Sequence, residues 1–185
     1  MEMDRRTALA LLGGGVLSSR LEAAQRHAHT VRTKPQDYKL QFFSPDEHRL
    51  IDAVAEMILP ADDHSPGAHE ARIAYYIDLV VANSSHQTRS HWKSRLSAFD
   101  SLAREQHGQP FVALEAGRRA ALLHLVGSNE SHPSTPAEHF FVDMKKMTVF
   151  GYYTSAIGLL QELEYKGNAA LASFPGCTHD PAVHK

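Results

Sequence analysis

Two stretches of the chain carry the same helix-starting design, and this repeated design fixes more of the fold than any other feature. Ser44-Pro45-Asp46-Glu47 and Thr135-Pro136-Ala137-Glu138 each place a hydroxyl residue at a cap, a proline at the first helical position and an acid three residues after the cap. The hydroxyl and the acid satisfy backbone N–H groups that the first turn leaves open, and proline loses nothing there. After Ser44, Leu50, Ile51, Val54, Met57 and Ile58 fall on one helical face, and Pro60 ends the run. After Thr135, Phe140, Phe141, Met144 and Met147 do the same until about Gly151.

Three further helices are predicted between them. One runs from about Ala68 to Ala82 with Ile73, Tyr76, Ile77, Val80 and Val81 inward. A second runs from about Ser85 to Gln106 on Trp92, Leu96, Phe99, Leu102 and Ala103, closed by Gly108. A third, from about Leu114 to Val126, carries Ala116, Ala120, Leu123 and Val126. No segment alternates with a two-residue period between turn signals, and none repeats at a fixed length. The expected architecture is therefore all-α: a bundle of about five helices over residues 42–150, with an N-terminal signal and arm and a loop-rich C-terminal tail.

At 185 residues the chain fits a single domain that buries roughly 70% of its unfolded surface, so it needs no staples. Nineteen Lys and Arg against 21 Asp and Glu give no basic excess, which argues against a nucleic-acid partner.

The first 24 residues read as an export signal. Asp4-Arg5-Arg6-Thr7 precedes an apolar stretch from Ala8 to Leu17 that is too short to span a bilayer. Paired Arg5 and Arg6 before a weakly apolar, glycine-containing core resemble a twin-arginine signal, although Asp4 and Ala8 depart from the usual flanks. That route carries folded cargo. A chain with no cofactor motif of its own does not need it, whereas a partner that must first acquire a cofactor does. Residues 25–41 turn polar and basic and read as a linker or arm.

From Gly151 to the end the pattern changes. Adjacent Tyr152 and Tyr153 cannot both face one small core, and Gly158, Gly167, Pro175 and Gly176 break up the remainder of the tail. Such a segment wraps over a surface, either that of its own bundle or that of a partner. Tyr152, Tyr153, Tyr165 and Phe174 are the candidate aromatic anchors. Cys177 is the single cysteine, which excludes an internal disulfide. In an exported protein it is a candidate for an intersubunit disulfide, or else a free thiol.

Residue patterns for catalysis are missing. The thirteen histidines lack the three- or four-residue spacing that puts two imidazoles on one helical face. His64/His69 and His86/His91 are five apart, and His132 precedes the helix that carries His139. Asp62-Asp63 could act as an acid pair, but adjacent acids in a loop more often cap or face water. Neither a nucleophile elbow nor a phosphate-binding glycine loop is present. The expectation is no catalytic, cofactor-binding or metal-binding residue in this chain.

Two blocks carry a family resemblance. Phe43-Ser44-Pro45-Asp46-Glu47 through Ile58-Leu59-Pro60-Ala61-Asp62-Asp63 and Pro66-Gly67-Ala68 resembles the N-terminal part of the gluconate 2-dehydrogenase subunit 3 family. Phe150-Gly151-Tyr152-Tyr153-Thr154-Ser155, Gln161 to Asn168 and Phe174-Pro175-Gly176-Cys177-Thr178-His179 are similar to its C-terminal signature. The likeness covers most of the chain from residue 42 onward, and the C-terminal block is the more specific.

The resemblance implies a non-catalytic small (gamma) subunit of a membrane-associated sugar or polyol dehydrogenase. Its partner would be a flavoprotein of the glucose-methanol-choline oxidoreductase type that holds FAD, often joined by a multihaem cytochrome c subunit. The small subunit would act in a chaperone-like way, helping the flavoprotein mature and carrying it through the twin-arginine pathway to the periplasm. Its contact with the membrane would be indirect, through the complex. The alternative reading is a stand-alone periplasmic helical protein that binds a ligand or metal.

Overall fold

The computed structural model describes residues 38–167, and every helix among them belongs to the unit that begins at Phe42. Five α-helices are arranged in the order α1 Pro45–Ile58, α2 Ile73–Ala82, α3 His86–His107, α4 Ala116–Gly127 and α5 Pro136–Thr154. A 3-10 turn at Phe111–Ala113 and a π-helical turn at Gly158–Glu162 complete the set. The described residues contain no strand, so the fold is an all-α bundle.

Both capping boxes form. Ser44 Oγ accepts from the Glu47 N–H at 3.3 Å while the Glu47 carboxylate accepts from the Ser44 N–H at 2.7 Å. Thr135 and Glu138 repeat the exchange at 3.2 and 3.0 Å. Glu138 also accepts from Ser134, and these backbone bonds hold its carboxyl down to about 2. Gly108 ends α3 in the left-handed region, φ 70°, where its missing Cβ costs nothing.

The bundle is built on α3 and α5, which share the most extensive helix contact among the described residues. Their interface is aromatic. Phe99 lies 5.0 Å from both Phe140 and Phe111, and Trp92 meets Phe140 edge-on at 6.2 Å. Phe43 extends the stack onto Trp92 at 6.0 Å. Arg95 pairs with Asp143 across the same helices. Ile51, Val54, Ile73, Ile77, Val81, Leu122 and Met144 fill the remainder with little or no exposure. Burying side chains of this size stabilises the fold by roughly 1.5–3 kcal/mol each.

Three features of α2 and α5 depart from the sequence expectation. The second helix begins at Ile73, not near Ala68, because residues 68–72 wind into turns. The Ala68 N–H reaches back to the Leu59 carbonyl at 2.9 Å, and Arg72 adopts φ 58° before the helix starts. On the same helix Asp78 is fully buried, and its carboxylate accepts from the N–H groups of Phe42 at 3.1 Å and Phe43 at 2.8 Å. A polar residue inside the apolar face thus anchors the entry of the chain into α1. Finally, α5 runs through Gly151 to Thr154, and the segment beyond it is an ordered turn as far as Glu162.

Candidate partner interface

The N-terminal block and the described part of the C-terminal block, Phe150 to Gly167, lie far apart in sequence and meet in space. The N-terminal block ends in a loop, residues 59–72, that leaves α1 and returns to α2. Asp62 shapes it by accepting from the Ser65 N–H at 2.8 Å and the His64 N–H at 2.9 Å. Those two bonds, the one from Ser65 foremost, hold its carboxyl below the ordinary range. Its role is to fold the loop, whereas Asp63 beside it is exposed. Glu56 holds the other flank by accepting from Ala61 N–H at 3.2 Å and His69 N–H at 2.7 Å. Gly67 sits against this clasp so closely that a Cβ there would lie 2.4 Å from Glu56 Oε1 and 2.6 Å from the Ala61 nitrogen.

The C-terminal block closes on this loop. The Tyr152 hydroxyl donates to the Pro66 carbonyl at 2.5 Å and, with its one proton so committed, accepts from Ser65 Oγ at 2.5 Å. His64 Nε2 lies 3.2 Å from the Glu162 carbonyl, so the loop also touches the π-helical turn. Gly151 is required because the Tyr76 ring approaches within 2.6 Å of where a Cβ would stand.

Beyond α5, Ser155 Oγ donates to the Tyr152 carbonyl at 2.7 Å and accepts from the Gly158 N–H at 3.0 Å. This bends the chain so tightly that a Cβ on Gly158 would sit 2.0 Å from the Tyr152 carbonyl oxygen. The turn closes with Leu163 N–H to Gly158 O at 2.9 Å and Tyr165 N–H to Leu159 O at 2.8 Å, with Glu164 left-handed at φ 46°. Single π-type turns and strained non-glycine residues concentrate at functional positions.

The last turns of α5 and the segment after it leave large apolar side chains exposed. Phe150 is 61% exposed, Leu160 63%, Leu163 54% and Tyr165 46%, with Val149 beside them on α5. Scattered exposed apolar residues are ordinary, but five of the seven large ones exposed among the described residues fall on the end of α5 and the segment after it, which makes this end the candidate interaction surface.

Of the aromatic anchors expected from sequence, Tyr165 lies in this surface. Tyr153 is half-buried, its ring 5.4 Å from Tyr152 and edge-on to it. Tyr152 corrects the expectation: it is 3% exposed and committed to its own bundle, because its hydroxyl is consumed by Ser65 and Pro66. Phe150, Leu160 and Leu163 are absent from the anchors expected from sequence, since nothing in a local pattern says that these positions stay uncovered. Arg5, Arg6, Phe174 and Cys177 lie outside the described residues.

Among the described residues, no group of three or more His, Cys, Asp or Glu could hold a metal ion. His69 pairs instead with Asp52 at 2.6 Å, which raises its pKa above the ordinary value. The largely apolar cleft between α1, α4 and α5, about 410 Å³, is lined by Met57, Ile58, Leu123 and Phe141, with Lys145 at its edge tied to Glu130 at 2.6 Å. No described helix is long and apolar enough to cross a membrane.

A family model described as gluconate 2-dehydrogenase subunit 3 matches residues 45–170. The chain belongs to that family. The matched stretch takes in all five helices and the parts of the two blocks that meet at Tyr152, and it stops short of Phe174 to His179. The subunit 3 family is named for one component of a multi-subunit dehydrogenase. No curated protein and no solved structure gave a match.

Proposed function

We propose that this subunit 3 protein is the non-catalytic small subunit of an FAD-dependent sugar or polyol dehydrogenase. Its task is to assist maturation of the flavoprotein subunit and to carry it, folded, through the twin-arginine pathway to the periplasm. The family match over residues 45–170 carries the reading. The exposed apolar residues on the last turns of α5 and on the π-helical turn and the residues after it support it, because a chain that works by binding a partner needs such a surface. Arg5 and Arg6 supply the export address, and Cys177 is the candidate for a covalent link to the partner. FAD belongs to the large subunit, with haem c in a third where one is present, and the complex provides the membrane association.

The test is to express the tagged full chain in its native host and record the subunit pattern and visible spectrum of the purified material. A larger chain with flavin absorption is the expected companion. A lone, colourless, monodisperse monomer would overturn the proposal and turn attention to the cleft between α1, α4 and α5 as a ligand site.

A further inference from the structure

We infer that the end of the bundle bearing Phe150, Leu160, Leu163 and Tyr165 is the docking surface for the flavoprotein. We infer further that it fits an apolar groove edged by lysine or arginine side chains. This deepens the proposed function and rests on it.

The charges around the patch select the occupant. Glu162 and Glu164 belong to the turn that carries Leu160 and Leu163, and Asp62 and Asp63 directly precede the His64 that contacts Glu162. Against these four carboxylates stand Lys166 on the same segment and Lys146 one turn before Phe150 on α5. An acidic edge of this kind is repelled by an anionic lipid surface. A two-fold contact with a second copy would set the same carboxylates face to face. A protein with an apolar groove and a basic rim meets both the leucines and the acids.

The patch is also built to keep its shape. Gly158 has no room for a Cβ, Glu164 is held left-handed, and the turn is tied through His64 to a loop that Tyr152 clamps. A preorganised surface loses little conformational freedom when it docks.

The experiment uses the full tagged chain in its native host. Leu160→Glu/Leu163→Glu places charge in the centre of the patch at exposed positions, and far-UV circular dichroism checks that the bundle survives. Removing a central anchor pair should weaken flavoprotein recovery by roughly 30-fold or more. A second variant, Glu162→Lys/Glu164→Lys, leaves the leucines in place. It should also lose flavoprotein, and the loss should shrink as salt is raised from low to high.

If the wild-type chain recovers no flavoprotein, the proposed function itself fails. If the wild type recovers it and both variants do so equally well, the surface assignment alone is overturned. With recovery unchanged, three other results would each reassign the patch. They are a dimer that becomes monomeric in the leucine variant, wild-type binding to phosphatidylglycerol vesicles that the variant loses, or a lower melting temperature that betrays cover by the chain itself.

Discussion

Replacing Tyr152 by phenylalanine removes one oxygen atom and leaves the ring packing in place. That oxygen joins the Pro66 carbonyl and the Ser65 hydroxyl to the end of α5, at 2.5 Å to each. Ser65 is 5% exposed and Tyr152 3%, so water cannot easily replace the lost partner at Ser65. The Pro66 residue is half-buried, and its carbonyl can recover some hydration. An unpaired buried polar group costs about 1–3 kcal/mol, so a loss of about 2 kcal/mol is expected for the variant. For a domain of this size that corresponds to a melting temperature lower by about 6 °C. Urea unfolding should show a lower midpoint with an unchanged slope, since the native surface hardly alters. Ser65→Ala combined with Tyr152→Phe should cost less than the sum of the two singles by about 1 kcal/mol, because both remove the same bond. A Tyr152→Phe protein within about 0.5 kcal/mol of wild type, the scatter of neutral surface substitutions, would refute the clamp. So would strict additivity with Ser65→Ala.

Gly67→Ala should destabilise by about 2 kcal/mol or more in urea unfolding, because the clash includes the Ala61 backbone nitrogen and cannot be relieved by a rotamer change. His69 has a raised pKa in the folded protein, so its pairing with Asp52 stabilises fully below the ordinary histidine value and is lost as pH rises through the raised one. His69→Gln should flatten that part of the stability–pH curve, by less than about 1 kcal/mol since the pair is largely exposed. Changing Arg5 and Arg6 to lysine should strand both subunits in the cytoplasm; undiminished periplasmic dehydrogenase activity would count against the export role. Cys177→Ser should abolish a reducible heterodimer band on a non-reducing gel, and a band that persists would clear this cysteine of the bridge.

The helices are legible wherever their signals are local. Ser44, Thr135 and Gly108 act within one turn of their own positions, so their chemistry can be read from neighbouring letters. Distant partners decide the features that local patterns miss. Residues 68–72 look helical, yet the Leu59 carbonyl and Glu56 carboxylate pull them into turns. Asp78 is not among the inward residues read for its helix, yet the open N–H groups of Phe42 and Phe43 draw it inside. Gly151 reads as a helix stop, although it is glycine because the Tyr76 ring leaves no space, and α5 continues through it. The candidate surface is half visible in the sequence. Composition marks the tail after Gly151, but which aromatics turn inward depends on Ser65 and Pro66, nearly half a chain length earlier.

That separation bears on timing. Ser65 is made early and Tyr152 late, so the clamp between them cannot close until nearly the whole helical unit has been synthesised, and non-local pairings of this kind form slowly. A full-length but half-folded chain has the leucines and acids but no fixed frame to hold them. Whatever binds this end of the bundle therefore samples completed molecules, and the hydroxyl of a single tyrosine serves as the seal that the work is finished.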